Sequence, residues 1–568
     1  MTSARPFRGR LRSFNSGSLG KIGTGTLTLS GASTYGGGTT VTEGTRLVTN
    51  LTGSATGTGP VQVSGGTIGG GGTVSGSLTI GTGSGIGSVL DPAATDRKIV
   101  TLVSESSLSL LSDATYRCTI DFKNSKSTAV RANGVGGLGK ITFLGNAMVG
   151  SLITITNQGG APNNTGVTST TFTDNASAGA ATIVNGGATN GSHGEPGITY
   201  FMGNASAATS TLICQSGFGG GHFGAFGGSV RFEDSSTAAN AIFQLEGGTV
   251  ADATGGYCAF YDTSTAGDSV FTVEGSDVAG SGSLQFYDSS SAGNATLIVN
   301  GGLYFYGDST GGTARVELFG SGTMNAFFSR STPVTIGSLE GDGVAMLGYE
   351  TLIVGSNSLS TTFSGLIEDS EFYSGGALVK IGTGTLTLSG ANTYTGGTTV
   401  DQGTLLINNQ SGSGTGSGSV QLTGGTLGGS GIISGEVAVG TGSGTGSFLA
   451  PAAGTAVQTR LTIESAVTLN SDATYTYTFK ANAKHARTDL LIANGVTING
   501  ATLAINATTQ GRMKRGLVLN VISNTSASPI SGTFTNLLDG GIVNVNGNNL
   551  QADYQGGDGN DLTLTVVP

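Results

Sequence analysis

Residues 380–409 read KIGTGTLTLSGANTYTGGTTVDQGTLLINN, and residues 21–50 read KIGTGTLTLSGASTYGGGTTVTEGTRLVTN. They are one unit written twice, and the offset that superposes them also aligns Pro92 with Pro451 and Tyr116 with Tyr475. Inside the unit, Thr383, Thr385 and Thr387 alternate with glycine and with Leu386 and Leu388. A period of two sends one set of side chains inward and the other outward, as in a strand. Residues 390–399, GANTYTGGTT, are turn chemistry, because Gly and Asn adopt the positive φ that corners need. A second strand is expected over 404–408. Strand, corner, strand, corner is what a coiled solenoid asks of its sequence. The motif positions are Lys21, Gly23, Thr24, Gly25, Leu27, Leu29 and Tyr35 in the first copy. In the second they are Lys380, Gly382, Thr383, Gly384, Leu386, Leu388 and Tyr394.

A looser unit fills the middle: TFTDNASAGAATIVNGG from Thr171, RFEDSSTAANAIFQLEGG from Arg231 and QFYDSSSAGNATLIVNGG from Gln285 are three of its six appearances. The aligned aromatics are Phe172, Phe201, Phe232, Phe260, Phe286 and Phe305. Stacked in a parallel solenoid, these rings form an internal ladder. The expected organisation is a basic segment (1–20), a first repeat copy (21–129), the aromatic coils (130–330), the second copy with its flank (331–520) and closing strands (521–568). The fold class is all-β: a right-handed parallel β-helix, a single elongated rod with about 20–25 residues per coil. No stretch has helical periodicity of useful length.

Composition agrees. Of 568 residues, 103 are Gly and 9 are Pro, and charged residues make up 10%, against about 25% in ordinary globular domains. Hydroxyls and amides suit stacked strands, where like charges in one column repel. Without a Gly-X-Y period, collagen is excluded. A net charge of −10 argues against nucleic acid, which needs a basic stripe. Residues 1–20 carry Arg5, Arg8, Arg10 and Arg12 but no apolar run, so no export signal is visible and a native start elsewhere is expected. No stretch approaches the roughly 18 apolar residues of a membrane span.

Candidate chemical sites each have a plainer reading. GVGGLGK, 134–140, has the spacing of a phosphate loop, but Ile141 stands where Ser or Thr must hold magnesium, and a strand follows instead of a helix. GGDGNDLTL, 556–564, matches part of a calcium nonapeptide, yet Thr563 takes the apolar position and only one copy exists. Asp174, Asp234, Asp262 and Asp288 recur two residues after the aromatic and read as corner formers, with Gly203 replacing one of them. Cys118, Cys214 and Cys258 lack metal spacing and read as packed thiols. His193, His222 and His485 are scattered, and no catalytic triad or HExxH string appears. Accordingly no catalytic residue, cofactor or metal is expected. The GFGGGHFGAFGG segment, 217–228, is an insertion that reads as a bulge or a recognition loop.

The duplicated unit resembles the autotransporter-associated β-strand repeat, also called the passenger-associated transport repeat. IGSLEGDG, LSTTFSGLIED and the closing GGDGNDLTLTV resemble the flanks found in such bacterial proteins. The resemblance implies a β-helix exported to the outer-membrane surface or beyond, with the repeat assisting folding and transport. It implies outer-membrane translocation machinery as a partner and a non-catalytic passenger or stalk as the function. Alternatives are an adhesin for an extracellular glycan or protein, and a polysaccharide-acting β-helix enzyme.

Overall fold

The computed structural model describes residues 16–83, 87–92, 102–110, 114–116, 128–132, 140–151, 153–160, 168–189, 194–218, 225–329, 333–444, 446–453 and 459–568. Burial alternates along the strands as a period of two requires. In Thr182–Asn185, for example, Ile183 and Asn185 are buried while Thr182 and Val184 are half-exposed. Each fully buried Leu, Ile, Val or Phe contributes about 1.5–3 kcal/mol. The inward columns therefore form the core, and they grow with every coil added. Among the described residues there is no helix.

The chain forms two compact units, Met1–Gly302 and Leu303–Pro568. In the first, one parallel ladder begins Leu19–Lys21, Thr39–Val41, Val61–Val63, Leu78–Ile80 and Ser107–Leu110. It continues through the first strand of each aromatic coil, from Ser169–Phe172 to Ser283–Phe286. A second ladder stacks Ile153–Asn157, Thr182–Asn185, Thr211–Cys214, Ile242–Leu245, Val270–Val273 and Thr296–Val299. Between the two, single-residue parallel bridges run from Ser177 through Ser206, Thr237 and Thr265 to Ser291, giving each coil a third side. In the second unit Ala377–Lys380, Gly397–Val400, Val420–Leu422 and Val437–Val439 stack in one ladder. Thr385–Leu388, Thr404–Ile407 and Gly425–Gly429 stack in another. The architecture is a parallel β-helix.

The two copies of the unit fold alike coil by coil. In the first, Leu19, Thr39, Val61, Leu78 and Leu108 stack in register. In the second, Leu378, Thr398, Val420, Val437 and Val467 stack in the same way, each at the offset that separates the two copies. Coil length varies, as the uneven spacing of the aligned phenylalanines leads one to expect. A short coil runs from Val61 to Leu78, whereas the aromatic coils step from Ser169 to Ile198, Ser229, Tyr257 and Ser283, all of them longer. Only the strand registers are constrained, so corners absorb the difference. The parallel pattern also ends before the C-terminus. Val518–Asn524, Asp561–Val567, Asn548–Gly556 and Ile542–Val545 pair antiparallel, closing an edge that would otherwise present unpaired backbone.

Candidate functional site

The Lys of the repeat is a corner clamp. Lys380 ends the strand Ala377–Lys380 and is 1% exposed. Its Nζ donates to the carbonyl oxygens of Ile381 at 2.7 Å, Gly382 at 2.9 Å and Gln402 at 3.3 Å. Three ammonium protons meet three acceptors, and the third lies one coil further on. Lys21 does the same with Ile22 at 2.9 Å, Gly23, and Glu43 at 3.0 Å. Burial pulls the Lys380 pKa down to about 8. Gly403 lies against the clamp at φ +69°, where a Cβ would come within 2.3 Å of the Gly382 oxygen. Tyr394 is fully buried and its hydroxyl meets Thr398 Oγ1 at 2.6 Å, as Tyr35 meets Thr39 at 2.7 Å. Gly23 and Gly382 take positive φ at 69° and 66°. Leu29, Leu386 and Leu388 are buried, Leu27 is half-buried, and Thr24 and Thr383 are exposed or half-exposed; Gly25 is also exposed.

Two partners of this corner escaped the sequence reading. The Asn409 amide donates to the carbonyls of Ser411 at 3.0 Å and Gly412 at 2.9 Å and accepts from the Ile432 N–H at 2.9 Å, tying two coils together. Asn50 is its counterpart, accepting from the Thr73 N–H at 2.9 Å. Arg46 is the second. It is 0% exposed, stacked between Leu27 and Ile68, where the other copy carries Leu405 between Leu386 and Leu427. Its Nη2 donates to the Tyr35 hydroxyl at 3.2 Å, while Nε and Nη1 have no partner. Burial lowers its pKa.

The aromatic rings stack in one column within the first unit. Successive centroids from Phe143 through Phe172, Phe201, Phe232, Phe260 and Phe286 are 4.7, 4.9, 4.7, 4.5 and 5.0 Å apart, with planes within 12° of parallel. Phe143 joins the column ahead of the residues singled out from sequence. Phe305 is fully buried in the second unit. Each Asp of the corner sits at φ 54–58°. Its carboxylate accepts a backbone N–H of the preceding coil: Gly145 for Asp174, Gly203 for Asp234, Asp234 for Asp262 and Asp262 for Asp288, at 2.8–3.1 Å. Gly203 takes φ 65° at the same place, so the position asks first for left-handed backbone, and Asp adds a cap. The serines and threonines of the bridge column each accept the N–H two residues on, at 3.0–3.1 Å. A buried pair, Asn157 and Asn185, joins amide to amide at 2.7 Å.

The remaining candidates are structural in their contacts. Asp561 is buried and accepts the Asn524 N–H at 2.8 Å, and Leu562 and Thr563 behind it are buried. Cys214 and Cys258 are buried free thiols, with burial pushing Cys214 up to about 12. His485 is exposed in a hairpin corner. Cys118, His193, His222, residues 134–139 and the 219–224 part of the glycine-rich insertion lie outside the described residues. Among the described residues no three His, Cys, Asp or Glu side chains gather into a metal-binding group, and no helix is long and apolar enough to cross a membrane. A cavity of about 330 Å³ near the C-terminal hairpins is lined by Leu503, Ile505, Leu537 and Val543 together with Asn536 and Asn546.

The passenger-associated-transport-repeat family matches residues 19–45 and 378–407, the two corners just described. Comparison of the sequence with curated proteins returns no match. Among solved structures, the Haemophilus influenzae Hap adhesin aligns with 99% of this chain at 12% identity and a TM-score of 0.31. The alignment spans 64% of the Hap adhesin chain.

Proposed function

We propose that this chain, which carries two passenger-associated transport repeats, is a non-catalytic exported passenger. Its coils fold one upon the next at the outer-membrane surface, and it serves as a stalk presenting surface away from the cell. The supporting observation is the clamp: the Lys380 ammonium is anchored in its own corner and holds the Gln402 carbonyl of the following coil. A coil delivered by the outer-membrane translocation machinery finds a strand edge to pair with, an apolar column to extend and a lysine to dock on. Each added coil buries side chains that would have to be re-exposed for the chain to slide back.

Because Leu378 stacks on Thr398, deleting residues 378–397 removes one whole coil with its clamp and leaves the register in phase. Deleting residues 169–197 removes one whole aromatic coil in the same way, since Ser169 stacks on Ile198. The experiment compares protease-resistant, surface-delivered protein for the two deletions in the exporting host. Loss of delivery with the first and not the second supports the reading. Equal delivery, or equal loss, overturns it.

A further inference from the structure

One parallel edge of the second unit stays open. Thr502–Thr509 pairs along its whole length with residues 474–481 and is the last strand of its sheet. Backbone groups alternate in direction along a strand, so every second residue faces the open side. Leu503 is one of these: its N–H donates to Asn536 Oδ1 at 2.9 Å, and its carbonyl accepts from Asn536 Nδ2 at 2.8 Å. Ala507 is another, its carbonyl accepting from Asn546 Nδ2 at 3.1 Å. Gln510 is out of phase with both and donates to Ala481 of the paired strand at 2.9 Å. Ile505 lies between the two capped residues and in phase with them, so its N–H and its carbonyl face the same opening. Among the described residues no side chain caps either group.

Ile505 also lines the cavity of about 330 Å³, with Leu503 and Ala507 beside it. Val543, Asn544 and Val545 line it too, and their strand, Ile542–Val545, is the last of another sheet. Leu538 and Ile542, next in sequence to two lining residues, are 61% and 59% exposed.

These features select the occupant. Asp539 is the only charged residue in 502–511 and 536–547, and its Oδ1 already accepts the Tyr554 N–H at 3.1 Å. An ion therefore finds no counter-charge. No aromatic ring lines the cavity, so a sugar has no platform. A hydrocarbon chain would bury the Ile505 N–H and carbonyl unpaired, which is costly. An extended peptide satisfies both groups and sends alternate side chains into the cavity. Open edges are commonly guarded by charge or proline. Here the guards are two asparagine amides, chemically peptide groups themselves. The residues they cap are four apart, about 13 Å along a strand, which leaves room for a segment of about three or four residues.

We propose that this slot binds an extended peptide segment of another protein by strand addition. Ile505 is its central hydrogen-bonding residue, and an apolar side chain of the peptide fills the cavity.

The test uses the full chain and an acetylated, amidated, dye-labelled peptide ATYTYTFKA. That is the sequence of residues 473–481, the strand with which Thr502–Thr509 already pairs. Saturable binding is expected, with the Ile505 amide gaining protection from exchange and the Leu503 amide unchanged. N-methylation of alternate peptide residues is expected to weaken binding at least tenfold in one phase and to leave it intact in the other. Val543→Lys, in the cavity wall, is expected to abolish binding, and Leu359→Lys, an exposed corner residue of the same unit, to preserve it. If Val543→Lys loses native protection in Asn548–Gly556, Ile505→Pro replaces it, since an edge strand tolerates proline. Absence of saturable binding, equal affinity for both N-methylated forms, or binding that leaves the Ile505 amide exposed overturns the proposal. Self-association that protects Ile505 without peptide also overturns it, by assigning the slot to a second copy.

Discussion

Arg46→Leu is expected to stabilise the protein. Arg46 occupies a position that is Leu405 in the second copy, so the variant installs a side chain this corner already accommodates. Two guanidinium nitrogens, Nε and Nη1, are buried without partners, and one bond to Tyr35 at 3.2 Å is all the substitution removes. A buried donor left unpaired costs about 1–3 kcal/mol, and a typical hydrogen bond returns about 1 kcal/mol. Replacing buried ionic groups by packed apolar ones commonly gains about 1–4 kcal/mol. A net gain of ~3 kcal/mol corresponds to a local opening equilibrium lowered roughly a hundredfold. Native-state amide exchange on Thr39–Val41 and Thr45–Val48 reads this directly, with the corresponding strands Thr398–Val400 and Thr404–Ile407 as internal reference. Protection that is unchanged or reduced in Arg46→Leu would refute the reasoning. Leu405→Arg in the second copy should fail in the opposite sense, with protection lost.

Phe232→Ala removes a ring stacked on both sides, on Phe201 and Phe260, and edge-on to Phe243. A loss of about 3–5 kcal/mol is expected, read as exchange protection falling in Ser229–Leu245 and its two neighbouring coils first; a uniform loss along the chain would contradict the nearest-neighbour picture. The pH dependence of the second repeat follows from Lys380, whose folded pKa of about 8 lies below the ordinary 10.5. Between these values the unfolded chain holds the extra proton, so stability rises with pH from about 8 towards about 10. Pulse proteolysis of wild type and Lys380→Met across that range checks it. Stability falling in wild type would mean that the three carbonyl bonds, not desolvation, set the lysine's protonation.

How much of this is legible in the sequence differs by feature. The duplicated unit, the alternation of residues 383–388 and the recurrence of the phenylalanines identify a stacked parallel sheet, because period two and close repetition are local properties. The Asp corners are legible for the same reason: an Asp that can be exchanged for Gly203 marks a left-handed position. Arg46 leaves a fainter signal, being in phase with inward Val48 and matched to Leu405 in the other copy. The clamp of Lys380 shows only as a motif position, since its third acceptor, Gln402, belongs to another coil.

What the sequence by itself determined is therefore the element type and the inward columns, which depend on neighbours two residues apart. What only the tertiary structure decided depends on residues a full coil apart. The corners vary from coil to coil and hide the register, so three things emerge only once the coils are stacked. One is which outward side chains share a column. Another is that a coil can be as short as Val61 to Leu78. The last is that Val518–Asn524, Asp561–Val567 and Asn548–Gly556 pair antiparallel, which covers a strand edge that parallel stacking would leave open.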